Sequence, residues 1–369
     1  MEERVDIDLE GDKGVGSEGV LERYKGYSSK RTVFFMLSLL SLLAIAVFSL
    51  TIGAADVSIP EAVAALLGRA STAALNTIVW NIRLPRVLSA IVAGAGLSVA
   101  GAAMQSILRN PLGSPYTLGI SHAAAFGAAF SVIVLGAGTV QSSAADAVIL
   151  DNPYIVTISA FTWALISTFV VLLLAKLKKA SPATMILAGV ALGSLFTAGY
   201  TAMQYFASET ELASIVFWTF GDIGRATWRD FYLMLAAVVP SSAYFLRKSW
   251  DYDVLDSGDE SAKGLGVDVE KLRLHGMLLS CLVTALIVSF VGIIGFVGLV
   301  VPHIIRRIIG GNERYLIPTS FVLGAVLLLA SDTAARTIIA PMVLPVGILT
   351  SFLGAPLFIY LVVQGREYW

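Results

Sequence analysis

The sequence has little charge for its length, and this scarcity sets its class. Of 369 residues, 14% are charged and 57% are hydrophobic, whereas a typical soluble domain is about 25% charged. This composition excludes a water-soluble globular protein and indicates a polytopic membrane protein. The formal net charge of −1 also lacks the basic excess typical of nucleic-acid binding, so no nucleic-acid partner is expected.

Reactive and metal-binding side chains are equally scarce. The single cysteine, Cys281, excludes an intrachain disulfide and a multi-cysteine metal site. The three histidines are far apart, which favours structural roles over metal ligation: His122, His275 and His303. The sequence contains no P-loop, no H-E-x-x-H and no G-x-S-x-G motif. We therefore predict no catalytic residue, no bound metal and no cofactor in this chain.

Apolar runs predict ten membrane spans. The run over 274–309 is too long for one span and is divided at the glycines of 292–295, which permit a turn. Several runs are shorter than a straight crossing needs, which indicates broken helices. The spans lie near 32–53, 86–107, 118–135, 155–175, 185–206, 230–246, 274–291, 294–309, 315–334 and 346–363.

The distribution of basic residues predicts the orientation. With both termini in the cytoplasm, the basic clusters at 25–31, 176–179, 247–273 and 306–314 fall inside, as the positive-inside rule requires. Residues 1–30 are expected to form a disordered cytoplasmic tail, and residues 31–369 to form the membrane domain. Outside, the proline and glutamate that open the stretch at 59–68 predict a short helix between the first two spans.

Six arginines fall on the outer side despite this rule. Arg83 and Arg86 flank a proline turn before the second span, and Arg336 follows the ninth. They could anchor lipid headgroups, or they could form a cationic rim for an acidic partner, since charge complementarity fixes register and speeds encounter.

Three further patterns bear on function. The segment 247–273 is the largest polar island among the spans, which predicts a docking surface for a partner outside the membrane. In the second span, Gly94, Ser98 and Gly101 follow the small-xxx-small spacing of closely packed helices; packing is favoured, and a place along a pathway stays open. No charged residue is predicted near the middle of a span, which argues against a gradient-driven secondary transporter.

Several blocks in collinear order give the sequence a family resemblance. They are RLPR, GLSVAGAAMQSILRNPLGSPYTLGIS, LAGVALG, FWTFGDIGRATW, AKGLGVDVEKLR, GIIGFVGLVVPHIIRR, ASDTAAR and LPVGILTSFLGAPLFIYLV, from residue 83 to the C-terminus. The chain resembles the FecCD family, the iron-chelate and cobalamin permeases of type II ABC importers.

The resemblance implies an all-α, BtuC-like type II ABC importer fold with ten transmembrane helices per subunit. It also implies a homodimer in the cytoplasmic membrane, two cytoplasmic ABC ATPase subunits that bind ATP and Mg, and an extracytoplasmic substrate-binding protein. In the family the segment corresponding to 258–271 sits in a groove of the ATPase, which makes Glu260, Ala262, Leu265, Gly266 and Val267 the expected contacts. The family's docking arginines correspond to Arg83, Arg86 and Arg336.

The resemblance leaves the substrate open. An iron chelate, either a ferric siderophore or haem, is the first expectation, and cobalamin is the alternative. A gradient-driven secondary transporter, and a receptor or scaffold without transport, are the alternatives from other classes.

Overall fold

The computed structural model describes residues 17–53, 55–137, 153–177, 181–340 and 342–364. Within these ranges the chain is helical and contains no strand. The first half holds α1 (Ser17–Thr51), α2 (Ile59–Leu66), α3 (Ala73–Thr77), a π-helix (Ile78–Arg83), α4 (Leu84–Leu108), α5 (Ile120–Ile133), α6 (Pro153–Leu177) and α7 (Pro182–Phe206). The second half holds α8 (Glu209–Thr219), a 3₁₀ turn (Ile223–Arg225), α9 (Trp228–Arg247), α10 (Ser249–Asp256), α11 (Asp259–Gly264), α12 (Val269–Val291), α13 (Val297–Ile309), α14 (Glu313–Ala335) and α15 (Val346–Gln364).

Each predicted span coincides with one helix. In the described ranges, six helical segments are long and apolar enough to cross a membrane by themselves: Ser29–Thr51, Ala73–Leu108, Pro153–Leu177, Pro182–Phe206, Val269–Val291 and Glu313–Ala335. α1 begins at Ser17, inside the stretch expected to be a disordered tail, while residues 1–16 lie outside the described residues. Residues 138–152, which include Asp146 and Asp151, also lie outside them.

α4 lies at the centre of the bundle, with α9, α12, α13 and α14 packed around it. Its small residues allow this close packing. A Cβ on Gly94 would lie 2.3 Å from the carbonyl oxygen of Gly324 in α14, and one on Gly101 would lie 1.8 Å from that of Gly298 in α13. Ser98 is fully buried between them. The geometry therefore gives all three residues a role in helix packing.

Three breaks between helices lie side by side: the end of α8, the end of α12 and the start of α15. Gly221, after α8, and Gly292, after α12, have φ of 68° and 76°, a conformation that glycine adopts without steric cost. The amide of Asp222 donates to the carbonyl of Val291, and the amide of Gly347 donates to that of Gly221. The predicted division at 292–295 agrees with the end of α12 and the start of α13.

The N-terminal end of α4 differs from the prediction. Arg83 and Arg86 do not flank a turn: the π-helix ends at Arg83 and continues directly into α4. Pro85 is tolerated because it stands in the first turn of α4, where its missing N–H costs little. The short helix predicted between the first two spans is confirmed as α2, where the Ser58 backbone amide and hydroxyl donate to the Glu61 carboxylate and close a capping box.

Candidate functional site

The polar island folds into α10 and α11 and the turn that leads into α12. Glu260, Leu265 and Gly266 are exposed, and the Leu265 side chain stands 62% in solvent. Ala262 is fully buried and Val267 is 8% exposed, so both pack into the apolar core. Leu265 is therefore the exposed apolar side chain of this turn, whereas Val267, also an expected contact, anchors the segment from beneath. We call residues 258–271 the coupling segment.

An ion pair fixes the coupling segment to the membrane helices. The two terminal guanidinium nitrogens of Arg273, on α12, donate to the two carboxylate oxygens of Asp259 at 2.7 Å. The Nε of Arg273 also donates to the carbonyl oxygen of Ile107 at 3.2 Å. These hydrogen bonds from the buried guanidinium lower the pKa of Asp259 below its ordinary value. The bidentate geometry holds α11 to both α12 and the end of α4.

A second cluster lies beside the first. The Ser106 hydroxyl, on α4, donates to the carboxylate of Glu313 at 2.9 Å and also lies 3.4 Å from the carboxylate of Asp256, the last residue of α10. Arg306 of α13 donates to the same Glu313 oxygen at 2.9 Å. The backbone amide of Glu313 in turn donates to the Asp253 carboxylate. We call Ser106, Asp256, Arg306 and Glu313 the inner cluster.

An uncharged groove opens on the side of the bundle formed by α7 and α15. It consists of two adjoining cavities of about 530 and 580 Å³, which share Tyr116 and Thr117 from the loop between α4 and α5. Phe220, Phe296 and Phe352 contribute aromatic walls. None of the described lining residues is Asp, Glu, Lys or Arg. Backbone that departs from helix at membrane depth is stable only where it is buried in protein or lines a cavity.

The groove has two notable backbone and side-chain features. Phe296 has φ of 67°, a conformation that costs a non-glycine residue energy and that concentrates at functional sites. His122 faces the second cavity with its ring 5.4 Å from that of Tyr116. Within the described part of the chain, no group of three or more His, Cys, Asp and Glu side chains could hold a metal ion.

The groove borders the fifth predicted span but not the second. α7 contributes Gly189, Val190 and Gly193, and Gly347 at the start of α15 lies in the wall. α4 contributes no residue to either cavity, because α9, α12, α13 and α14 cover it.

The predicted docking arginines gather at the opposite end of α4. Arg86 donates three hydrogen bonds of 2.8–3.1 Å to Asp332 of α14, and Arg336 lies 3.2 Å from the same carboxylate. Arg83 is 4% exposed and donates to the carbonyls of Leu50 and Ala55. All three guanidinium groups line one cavity of about 710 Å³. Their hydrogen bonds are made within the chain.

The two ends are about one membrane thickness apart. Arg86 and Ser106 are separated on α4 by about 30 Å at ~1.5 Å per residue, which is roughly the depth of the hydrocarbon core. The arginines and the inner cluster therefore lie at opposite ends of the span.

Sequence analysis missed several of these partners. Asp332 stands four residues before Arg336 on one helix, a spacing that brings opposite charges together, so this pair was open to prediction. The inner cluster and the Asp259–Arg273 pair join helices far apart in sequence, and no local pattern indicates them.

Comparison with known proteins places the chain among transport proteins. The family model for the FecCD transport family matches residues 41–364. A Methanocaldococcus jannaschii protein, named as a candidate ABC transporter permease, is 53% identical over 93% of this chain and 97% of its own length. The hemin transport system permease HmuU of Yersinia pestis is 36% identical over 90% of this chain and 95% of its own length.

Other relatives are named as Fe(3+)-citrate and vitamin B12 import permeases. Among solved structures, an inward-facing conformation of a candidate metal-chelate type ABC transporter superposes with a TM-score of 0.78 at 30% identity. The match covers 90% of this chain and 99% of that one.

Proposed function

The chain belongs to the FecCD transport family as an ABC importer permease, a transport component and not an enzyme, and we propose that its cargo is an iron chelate. We propose a ferric siderophore or haem, carried inward across the cytoplasmic membrane through ten crossings per subunit. Both termini and the coupling segment lie in the cytoplasm in this arrangement, and the arginine cavity lies outside.

The observation that carries this proposal is the uncharged groove beside the broken helices. A transit site must release its cargo as readily as it accepts it, which favours apolar and hydroxyl-bearing walls over fixed charges. The Phe220, Phe296 and Phe352 side chains suit a bulky chelate that is apolar on its outside. We therefore propose that cargo passes along this groove.

The proposed homodimer would close the groove. α7 and α15 both border it, and both expose large apolar side chains, including Val190, Leu195 and Phe352. A second copy that packs on this side would convert an open groove into a pathway between two subunits. At the groove, a Cβ on Gly189 would lie 2.6 Å from the Cα of Leu118, so this glycine lets α7 pack closely against the chain before α5.

We propose that a separate ATPase subunit binds the coupling segment and supplies the ATP and Mg. Glu260, Leu265 and Gly266 are the exposed contacts in this proposal, and Leu265 is its apolar centre. Ala262 and Val267 act from beneath by holding the segment against the bundle. The Asp259–Arg273 pair would then carry movement of the segment into α12.

Docking of a binding protein through Arg83, Arg86 and Arg336 stays a proposal of the same kind. An acidic side chain that enters the 710 Å³ cavity would meet all three guanidinium groups. It would have to compete with Asp332 for Arg86 and Arg336, so docking would loosen α4 from α14 at this end.

Cobalamin is the second candidate cargo, because a vitamin B12 permease is among the relatives. Proteoliposomes that contain the permease, its ATPase and its binding protein would be offered haem, a ferric siderophore and cyanocobalamin in turn. We expect ATP-dependent uptake of an iron chelate only. Uptake of cyanocobalamin alone would move the assignment to the alternative, and uptake without the ATPase would refute the ABC importer mechanism in favour of a gradient-driven transporter.

A further inference from the structure

The inner cluster contains more carboxylate than its surroundings neutralise. Glu313 is 0% exposed, and within the described part of the chain only one guanidinium group, that of Arg306, lies within 4.0 Å of both carboxylates. Among the described residues, no hydrogen-bond partner lies within reach of Oε2 of Glu313 or Oδ1 of Asp256. A buried ionised carboxylate is costly unless it is paired and hydrogen-bonded.

The number of hydrogens at Ser106 also indicates that one of the two carboxyl groups is protonated. Its hydroxyl has one hydrogen, yet its oxygen lies 2.9 Å from Glu313 and 3.4 Å from Asp256. When that hydrogen is donated to Glu313, the contact with Asp256 is favourable only if the Asp256 carboxyl carries a proton and donates in its turn. One proton on the pair also removes the repulsion between two adjacent anions.

We propose that Asp256 and Glu313 hold one shared proton, and that this proton attaches the end of α10, and with it the coupling segment, to α4 and α14. Ser106, Arg306 and Glu313 are positioning residues for the transport cycle in this proposal. When the proton leaves, two neighbouring carboxylates face each other and the attachment weakens. Coupling between ATP hydrolysis and transport then depends on the pH at the cytoplasmic face.

The surroundings of Asp256 support this assignment. Desolvation and the neighbouring Glu313 raise the pKa of Asp256 to about 7. Burial likewise raises the pKa of Asp253 on α10, which faces Arg306, Arg314 and Arg31. Asp256 also borders a cavity of about 360 Å³, which gives protons a route from the cytoplasmic side.

The arginines at that cavity face Asp259. The cavity is lined by Asp259 of α11, Arg273 of α12, and Arg109, which follows α4. Arg273 forms a bidentate ion pair with Asp259, and Arg109 lies 3.9 Å from the same carboxylate. Neither arginine forms an ion pair with Asp256, whose cationic neighbour is Arg306.

The direction of the pH dependence follows from the raised pKa. The neutral carboxyl is the form that the folded arrangement favours, so the attachment is complete below the ordinary range of an aspartic acid. It is lost as pH rises through about 7. Between pH 6 and pH 8 the neutral fraction of such a group falls about tenfold.

A direct test uses infrared spectroscopy of the purified permease across this pH range. We expect the wild type to convert one protonated carboxyl to carboxylate near pH 7, and Asp256→Asn to lack that change. Glu313→Gln removes the neighbouring charge and should move the transition to lower pH. Asp251→Asn is the matched control, because Asp251 lies on α10 but pairs with Lys248. A transition that is absent from the wild type, or that persists in Asp256→Asn, would overturn the proposal.

A second test rests on the proposed function and measures cargo transported per ATP hydrolysed. In proteoliposomes with the ATPase and binding protein, we expect this ratio to fall by up to about tenfold as the cytoplasmic-face pH rises from 6 to 8. Asp256→Asn should hold the ratio level across that range, and Asp251→Asn should follow the wild type. Failure of uptake in every protein would count against the importer assignment and leave the infrared result to decide the shared proton. Equal pH slopes in wild type and Asp256→Asn would reject the positioning role.

Discussion

Substitution of Gly101 by alanine tests whether the small residues of α4 serve packing or transport. The added Cβ would lie 1.8 Å from the carbonyl oxygen of Gly298, 2.4 Å from its carbonyl carbon and 2.6 Å from its Cα. Ordinary van der Waals contact begins at 3.4 Å. All three neighbours are backbone atoms, so no side-chain rotation can relieve the overlap, and α13 must move away from α4.

The cost of that movement is at the upper end of the range for an overpacked interior, about 3 kcal/mol. It corresponds to roughly a hundredfold loss in the ratio of folded to unfolded protein. Gly298 is as constrained as its neighbour, because a Cβ there would lie 2.6 Å from the carbonyl oxygen of Leu97. A compensating shift of α13 would therefore disturb a second close contact of the same pair of helices.

The assay is thermal denaturation of the purified permease in detergent, with Gly264→Ala as the control. A Cβ on Gly264 meets nothing within 4 Å, and alanine is the better helix former, so the control should match or slightly exceed the wild type. Gly101→Ala should unfold at a clearly lower temperature. Wild-type stability combined with impaired uptake would refute the packing interpretation and return Gly101 to the pathway.

Three further predictions concern the coupling segment, the arginine cavity and the topology. Leu265→Asp should lower ATPase co-purification and uptake without loss of folded permease, whereas Lys263→Asp, at another exposed position of the segment, should have a smaller effect. Normal co-purification and uptake in Leu265→Asp would show that Leu265 does not contact the ATPase. Asp332→Asn leaves Arg86 and Arg336 without their buried counter-charge and should destabilise the protein by roughly 3–5 kcal/mol in a melting assay. Asp268→Asn, in an exposed pair with Lys271, should leave the melting temperature nearly unchanged; equal losses of stability in the two variants would show that the buried ion pairs contribute no more than the exposed one. A maleimide reagent that does not cross the membrane should label Arg69→Cys from outside and Ser257→Cys only from inside, with little background because Cys281 is buried; the reverse pattern would invert the proposed orientation.

Local pattern was enough to predict most of the helices. Hydropathy located all ten helices that carry the predicted spans, and the glycines at 292–295 marked the boundary between α12 and α13. The capping box at Ser58 and Glu61 is likewise a signal within four residues. These features depend on residues close in sequence, and sequence periodicity reports on them directly.

Partners that are distant in sequence were beyond this reasoning. Arg83, Arg86 and Arg336 were expected on an open rim, but Asp332 and the carbonyls of Leu50 and Ala55 draw them inward. Leu265 and Val267 were both expected to contact the ATPase, yet Val267, which follows the turn at Gly266 with φ of 85°, packs into the core. Which of two apolar neighbours is buried depends on the tertiary contacts and not on composition.

The placement of charge separates the helices into two sets, and this separation bears on how the importer moves. α4, α12 and α14 carry buried ion pairs at their ends: Arg86 with Asp332, Arg273 with Asp259, and Glu313 with Arg306. α5, α7 and α15, which border the groove, contain no Asp, Glu, Lys or Arg at all. α4 and α14 are held by directional contacts at both ends of a span of about 30 Å. α12 is held in this way at its N-terminal end, so the set resists sliding. The second set packs through apolar and glycine contacts, which allow small shear movements between helices. In the proposed transport cycle, the groove would open and close by relative movement between α5, α7 and α15 and the ion-paired set. The coupling segment is attached to the ion-paired set by the Asp259–Arg273 pair and the inner cluster. We therefore expect a bound ATPase to act on the groove through that set.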